Sequence, residues 1–265
     1  MSIIDKIFRK NVKLSINENE NNILLTENGN EKIITFNNIV YSKLKKGSIL
    51  VNGYWDYFLP LPNYFNKINN FNGKINILII GLGAGTIPYQ MLHVYDNIKI
   101  ISLETSQTMI NITKELIQKE DLKRLKIIYE DGNKYVNKNA ENLRDSFDLI
   151  ILDAYIDDEI PKVFFEEQFI KNSSILLKKE GILAINFVKN TKNNLNLLIN
   201  NLKKYYKIGY LNTGLFSGNI IVLGLKNKNR HVKDLLQAFD GLPADIKLES
   251  YDYYANIEEI NNIKM

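Results

Sequence analysis

The chain has 265 residues, 45% hydrophobic and 24% charged, with 34 Lys and Arg against 30 Asp and Glu for a formal net charge of +4. This composition excludes collagen-like, coiled-coil and disordered architectures, and the length suits one medium domain with an accessory unit. Cysteine is absent and only His93 and His231 occur, which removes disulfides and thiolate chemistry, disfavours a Ser-His-Asp triad, and leads us to expect no metal site.

The first residues, 1–14, break their apolar pairs with Asp5, Lys6, Arg9 and Lys10, unlike the continuous core of a signal peptide. The longest apolar stretches, 75–80 and 147–156, fall short of the roughly 20 residues a spanning helix needs. Basic residues are dispersed and form no block interleaved with aromatics. A cytoplasmic protein with no membrane or nucleic-acid partner is therefore expected.

Residues 2–51 read as β, with short β-branched runs punctuated by Asn28-Gly29 and Asn37-Asn38, both hairpin signals. A short helix ending near Lys67 follows. From Lys74 the pattern alternates. Strands are predicted at 76–80, 98–103, 125–129, 147–152 and 182–187, and helices at 86–93, 106–118, 164–177 and 194–205. Gly81–Gly85 fills the turn after the first strand, and Gly181 closes the connection before the fifth. Closing strands are expected at 208–211 and 219–225, then a helix and an acidic, Tyr-containing end. The strands at 76–80 and 147–152 lack polar alternation, as strands buried on both faces do. Alternation at this spacing predicts βαβ units in a doubly wound, mostly parallel sheet. The expected division is 1–52, a β-strand unit, and 53–265, a Rossmann-like nucleoside-binding domain.

In such a sheet, ligands bind at the carboxyl ends of the strands. Four of those ends are polar or glycine-rich: Gly81-Leu-Gly-Ala-Gly-Thr, Glu104, Asp131-Gly132 and Asp153. Glycines let the backbone turn and approach a ligand closely, and an acid about 20 residues later is placed for ribose hydroxyls. Each has a bland reading alone: a tight turn, a carboxylate at a helix start, a turn residue, a cap. Their order together points to an adenosine-type ligand. Tyr155, Asp157, Asp158 and Glu159 beside Asp153 form either a solvated acidic run or an electronegative mouth.

On these motifs, NILIIGLGAGT, SLETS, YEDGNKYV and FDLIILDAYIDDEIP, the chain resembles the polyamine aminopropyltransferases, the spermidine synthase family. The resemblance implies a class I methyltransferase-like Rossmann fold behind a small β domain, and a homodimer or homotetramer. It implies decarboxylated S-adenosylmethionine as co-substrate and a polyamine or other small amine as acceptor. Carried over by position, Gly81, Gly83, Ala84, Gly85, Glu104, Asp131 and Gly132 bind the nucleoside. Asp153 is then the base with Tyr155 assisting, and Tyr54, Trp55, Asp157 and Asp158 meet the acceptor. Phe216-Ser-Gly-Asn219 is a looser match. The chain departs from the family at Ala84, which replaces the acid that pairs with the donor's propylamine, and at Trp55, which replaces His or Gln. The acidic loop after Asp153 is also displaced. Trp55 is expected to act as a wall or to supply a cation–π contact to a sulfonium. Asp56 or a loop carboxylate is a candidate substitute for the acid missing at Ala84. Because Ala does not repel a carboxylate, an S-adenosylmethionine-dependent methyltransferase is the second expectation. A non-catalytic nucleoside or polyamine sensor is the third.

Overall fold

The computed structural model of the chain describes residues 12–18, 21–68, 73–156, 159–188, 195–213, 218–235, 238, 241–244, 246 and 257–259. Strands β1 (Val12–Glu18), β2 (Asn21–Asn28), β3 (Glu31–Phe36) and β4 (Ile39–Lys45) form an antiparallel sheet in that order. Both predicted hairpin turns are present, with Gly29 at φ 59°, Asn37 at 48° and Asn38 at 67°. Two-residue hairpins require such positive φ, which Gly and Asn adopt most readily.

A 3₁₀ turn, Tyr54–Tyr57, and helix α1 (Leu61–Ile68) lead into the alternating region. Its elements are β5 (Ile75–Ile80), α2 (Thr86–Val94), β6 (Ile98–Glu104), α3 (Gln107–Leu116), β7 (Leu125–Tyr129), α4 (Gly132–Asn139), β8 (Phe147–Leu152), α5 (Glu167–Leu176) and β9 (Leu177–Val188). Helix α6 (Leu195–Tyr205) and strands β10 (Lys207–Asn212), β11 (Asn219–Leu225) and β12 (Ile257–Glu259) complete them. The sheet order is β12-β10-β11-β9-β8-β5-β6-β7. Strands β9 to β7 run parallel, and β11, β10 and β12 add antiparallel.

The central strands explain why their sequences lack polar alternation. Ile77, Ile79, Leu149 and Ile151 pack into the core on one face, while Leu78, Ile80, Ile150 and Leu152 pack into the core on the other. Each such fully buried Ile or Leu contributes about 1.5–3 kcal/mol relative to exposure.

Three predicted elements differ. Asp131-Gly132 opens helix α4, for which no element is predicted: the Asp131 side chain accepts from the Lys134 N–H at 2.8 Å and caps it. The helix expected from 164 starts at Glu167, because Phe164 and Phe165 sit in a 3₁₀ turn after Pro161 with both rings buried. The fifth parallel strand starts at Leu177 and runs through Gly181. Phe147 pairs with Leu177 and Leu149 with Ile182, so the extra residues between bulge outward. After Arg230 the described elements are a 3₁₀ turn, Val232–Leu235, and β12; most of the acidic end lies outside the described residues.

The N-terminal sheet is stitched to the glycine turn. Ser42 Oγ accepts from the Ala84 N–H at 2.6 Å, and Thr86 Oγ1 accepts from the Lys43 N–H at 3.0 Å. Leu50 and Val51 are buried in the main core. No helix among the described residues is long and apolar enough to cross a membrane.

Candidate active site

The carboxyl ends of β5, β6, β7 and β8 open into a cavity of about 360 Å³, roofed by Ile39, Val40 and Tyr41 of the N-terminal sheet. Gly81 adopts φ +91°, and a Cβ there would lie 2.2 Å from the Asp153 carbonyl oxygen. Only glycine lets the two strand ends approach this closely. Gly83, at φ +53°, does the same for the roof, since a Cβ would lie 2.8 Å from the Tyr41 carbonyl.

Asp153 stands at the end of β8 with its carboxylate held on both sides. Oδ1 accepts from Asn186 Nδ2 at 2.8 Å, and Oδ2 accepts from the Tyr54 hydroxyl at 3.3 Å. The residue is half-buried and lines the cavity. Burial pushes its pKa from the ordinary 3.8 up to about 6, against the pull of Asn186, Tyr54 and Trp55. A carboxylate that titrates close to neutrality and faces a cavity is suited to proton exchange.

Glu104 is the second half-buried acid of the site. Its Oε1 accepts from the Thr105 and Ser106 N–H groups at 2.7 and 2.9 Å, and its Oε2 from those of Leu82 and Gly83 at 3.1 and 3.2 Å. It therefore braces the glycine turn, with its roughly four lone-pair sites met by backbone donors, while the residue lines the cavity. Burial raises its pKa despite these four donors. Glu130, Asp131 and Gly132 complete this side. Gly132 also packs its helix onto β5, where a Cβ would meet Ile80 at 2.2 Å.

Of the residues singled out in the sequence, Gly81, Gly83, Glu104, Asp131, Gly132, Tyr54, Asp153 and Tyr155 line the cavity. Other assignments change. Ala84 is fully buried in a small cluster with Ile23, Ile34, Met109 and Ile112 and does not line the cavity. An acid in this orientation would meet apolar side chains, so Ala84 is a packing residue here. Gly85 likewise lies behind the wall, at φ +90° ahead of α2. Trp55 is buried in the main core, beneath Gly53, and only its action on Asp153 reaches the site. Asp56 is a latch: Oδ1 accepts from Val51 N–H and Gln90 Nε2 at 3.1 and 2.6 Å, and Oδ2 from Gly53 N–H at 3.3 Å. Fully buried and bonded this way, it does not replace an acid at position 84. The tyrosines also exchange parts. Tyr54 donates to Asp153, whereas Tyr155 donates to the Asn186 carbonyl at 2.7 Å. Asp157 and Asp158 lie outside the described residues, as do Phe216 and Ser217.

Asn186, Glu130 and the 39–41 roof were missed, and Asn219 was noted only within the loose match. Asn186 carried a signal, being the single polar residue in the buried run Ile182–Phe187 of β9. Asn219 Nδ2 donates to Asn186 Oδ1 at 2.7 Å, so β11, β9 and the end of β8 share one polar chain. Among the described residues lining the cavity, the acids are Glu104, Glu130, Asp131 and Asp153, with no Lys or Arg.

A parallel sheet with antiparallel closing strands, a glycine turn and acids at successive strand ends defines a class I methyltransferase-like Rossmann domain. Residues 72–241 match a family model described as a methyltransferase domain, and the chain belongs to that family. It is also similar to polyamine aminopropyltransferases. It is 26% identical over 201 residues to a polyamine aminopropyltransferase of Prochlorococcus marinus strain MIT 9312, covering 70% of this chain and 68% of that one. It is 28% identical over 165 residues to that of strain MIT 9215, covering 58% and 56%. The matches thus span from just over half to about two thirds of these relatives. A probable spermidine synthase from Corynebacterium glutamicum superposes with TM-score 0.68 at 16% identity, covering 95% of this chain and 98% of that one. That likeness is one of fold, and it includes the N-terminal sheet.

Proposed function

We propose that the protein is an aminopropyltransferase-like enzyme, moving an aminopropyl group from decarboxylated S-adenosylmethionine to a small amine such as putrescine. The observation that carries this reading is the all-acid charged lining of the cavity among the described residues, which includes an Asp153 whose pKa is raised to about 6. Such a lining suits ligands that are cationic throughout: a sulfonium, the ammonium of its aminopropyl arm, and an amine acceptor. The similarity to polyamine aminopropyltransferases supports the same assignment.

In the reaction, the acceptor nitrogen's lone pair attacks the methylene carbon beside sulfur. The C–S bond breaks, its electron pair returns to sulfur, and a neutral thioether leaves without acid assistance. The nitrogen must shed one proton. An amine of pKa about 10.4 is mostly protonated at neutral pH. Asp153, at about 6, is a stronger base than an exposed aspartate and narrows that gap. Tyr54 and Asn186 hold the carboxylate in line, and Glu104 with Asp131-Gly132 holds the nucleoside. Ordinary S-adenosylmethionine adds a carboxylate that this lining repels, and each 1.4 kcal/mol of that repulsion is about a tenfold loss of affinity.

Calorimetric titration with both donors, followed by mass analysis of an amine panel, tests the assignment. At least about tenfold preference for the decarboxylated donor, and an acceptor heavier by one aminopropyl group, are expected. Equal or reversed preference with a methylated product overturns it in favour of methyl transfer, the reading favoured by the family match. Binding of either donor without turnover leaves a nucleoside sensor.

A further inference from the structure

The polar chain behind Asp153 has a direction. An ionised carboxylate only accepts hydrogen bonds, so the group that Asn186 turns toward Asp153 must be its NH₂, as the 2.8 Å contact has it. That leaves Asn186 Oδ1 pointing back along the sheet, where it accepts from Asn219 Nδ2 at 2.7 Å. Asn186 is 1% exposed, so neither end of its amide has bulk water as a substitute partner. An Asn amide can turn end for end at almost no steric cost, and its two ends differ only in hydrogen-bonding character. Asn219 opposes that freedom: with its NH₂ at the back, the orientation seen satisfies both ends of the Asn186 amide. The two amide dipoles then align head to tail with their positive ends toward Asp153. In a buried site such chains polarise one another and favour the charged end group.

We propose that Asn219 is a positioning residue which, acting through Asn186, fixes the direction of that amide and holds the Asp153 carboxylate ionised and aimed into the cavity. The proposal rests on the reading of Asp153 as the proton acceptor in an alkyl transfer to an amine. It also accounts for a buried and a half-buried asparagine in the apolar runs of β9 and β11. The other ionisable groups facing the carboxylate are Tyr54 from the 3₁₀ turn, Tyr155 beside it, and Glu104, Glu130 and Asp131 across the cavity. Asn219 reaches the carboxylate through Asn186.

The test reads the carboxyl of Asp153 in the ligand-free protein by carbon-13 titration, its signal assigned by loss in Asp153→Asn. Asn219→Leu should raise the midpoint by about 0.5–1 pH unit, a threefold to tenfold change in proton affinity. Asn219→Asp is isosteric and puts an acceptor where a donor stood. It should turn the Asn186 amide around and raise the midpoint further. Asn186→Leu should raise it as well, and Asn219→Leu should add nothing in that background, the non-additivity expected of a relay. The acid limb of kcat/KM should move with the carboxyl in each variant. An unmoved or lowered midpoint in folded Asn219→Leu or Asn219→Asp overturns the proposal, as do shifts that simply add. Because the titration needs no donor, it stands or falls separately from the aminopropyl assignment. A failed donor assay with a moving carboxyl overturns the reaction and leaves the relay, and a fixed carboxyl with turnover does the reverse.

Discussion

Replacing Asp153 with Asn should make the protein more stable at neutral pH while removing its activity. Burial raises the carboxyl from its ordinary 3.8 to about 6. Between those values the folded chain binds more protons than the unfolded one, so stability falls as pH rises through the window. The favourable contribution is fully present below about pH 4 and gone above about pH 6. The full rise corresponds to about 3 kcal/mol. The carboxyl faces a cavity that admits water, and discounting for that leaves about 1–2 kcal/mol. Asparagine is neutral throughout and can still accept from Asn186 through its oxygen. Denaturant unfolding at about pH 4.5 and about pH 7.5 should show Asp153→Asn close to wild type at the lower value and about 1–2 kcal/mol more stable at the higher one. Turnover should fall by about 100- to 10,000-fold, the usual worth of a positioned base. A variant no more stable than wild type at the higher pH, or equally stabilised at both, would refute the claim that Asp153 is held at a cost to the fold.

Other substitutions follow from the same contacts. Asp148→Asn should do the opposite of Asp153→Asn. It weakens a buried carboxylate bound to Lys178 Nζ at 2.7 Å and Asn76 N–H at 2.8 Å, at a cost of about 1–3 kcal/mol seen in the same unfolding assay. Tyr54→Phe removes a donor to the ionised form of Asp153 across a long 3.3 Å bond. The acid limb of kcat/KM should rise by about 0.5 pH unit, whereas an unmoved limb would remove Tyr54 from the site. Gly81→Ala forces a Cβ to within 2.2 Å of the Asp153 carbonyl at φ +91°, and should cost about 3 kcal/mol or more in thermal unfolding along with donor binding. Glu104→Gln turns an NH₂ toward backbone N–H donors. Calorimetry should show at least about a tenfold loss of donor affinity, with kcat less affected than KM.

Much of the fold was legible because its signals are local. The run Ile75–Ile80 has no polar side, so it reads as a strand covered on both faces, and the layers around β5 and β8 bear this out. Asn37-Asn38 reads as a hairpin because Asn tolerates positive φ, which both residues adopt. Helix α4 was missed for a reason equally local. Its eight residues, GNKYVNKN, are mostly polar with few good helix formers, and the Asp131 cap with the burial of Tyr135 and Val136 holds the helix in place. The bulged start of β9 was missed because pairing with β8 overrides the break that Gly181 suggests.

The site divides along the same line. Which residues stand at the strand ends followed from sequence alone, since strand ends, glycine turns and the acids after them are fixed by chain order and backbone conformation. Gly81, Glu104, Asp131 and Asp153 needed no tertiary information to be found. Where the side chains point was decided by packing. The N-terminal sheet holds the glycine turn from behind, through Ser42 and Thr86, and this turns Ala84 into a cluster with Ile23 and Ile34 instead of the cavity. Tyr54 reaches Asp153 across 99 residues and Asn186 across 33, whereas Tyr155, two residues away, points to a strand carbonyl instead. Chain order places an acid at the mouth of the site. Only contacts between segments distant in sequence decide which groups hold it, how far it is desolvated, and so at what pH it can take a proton.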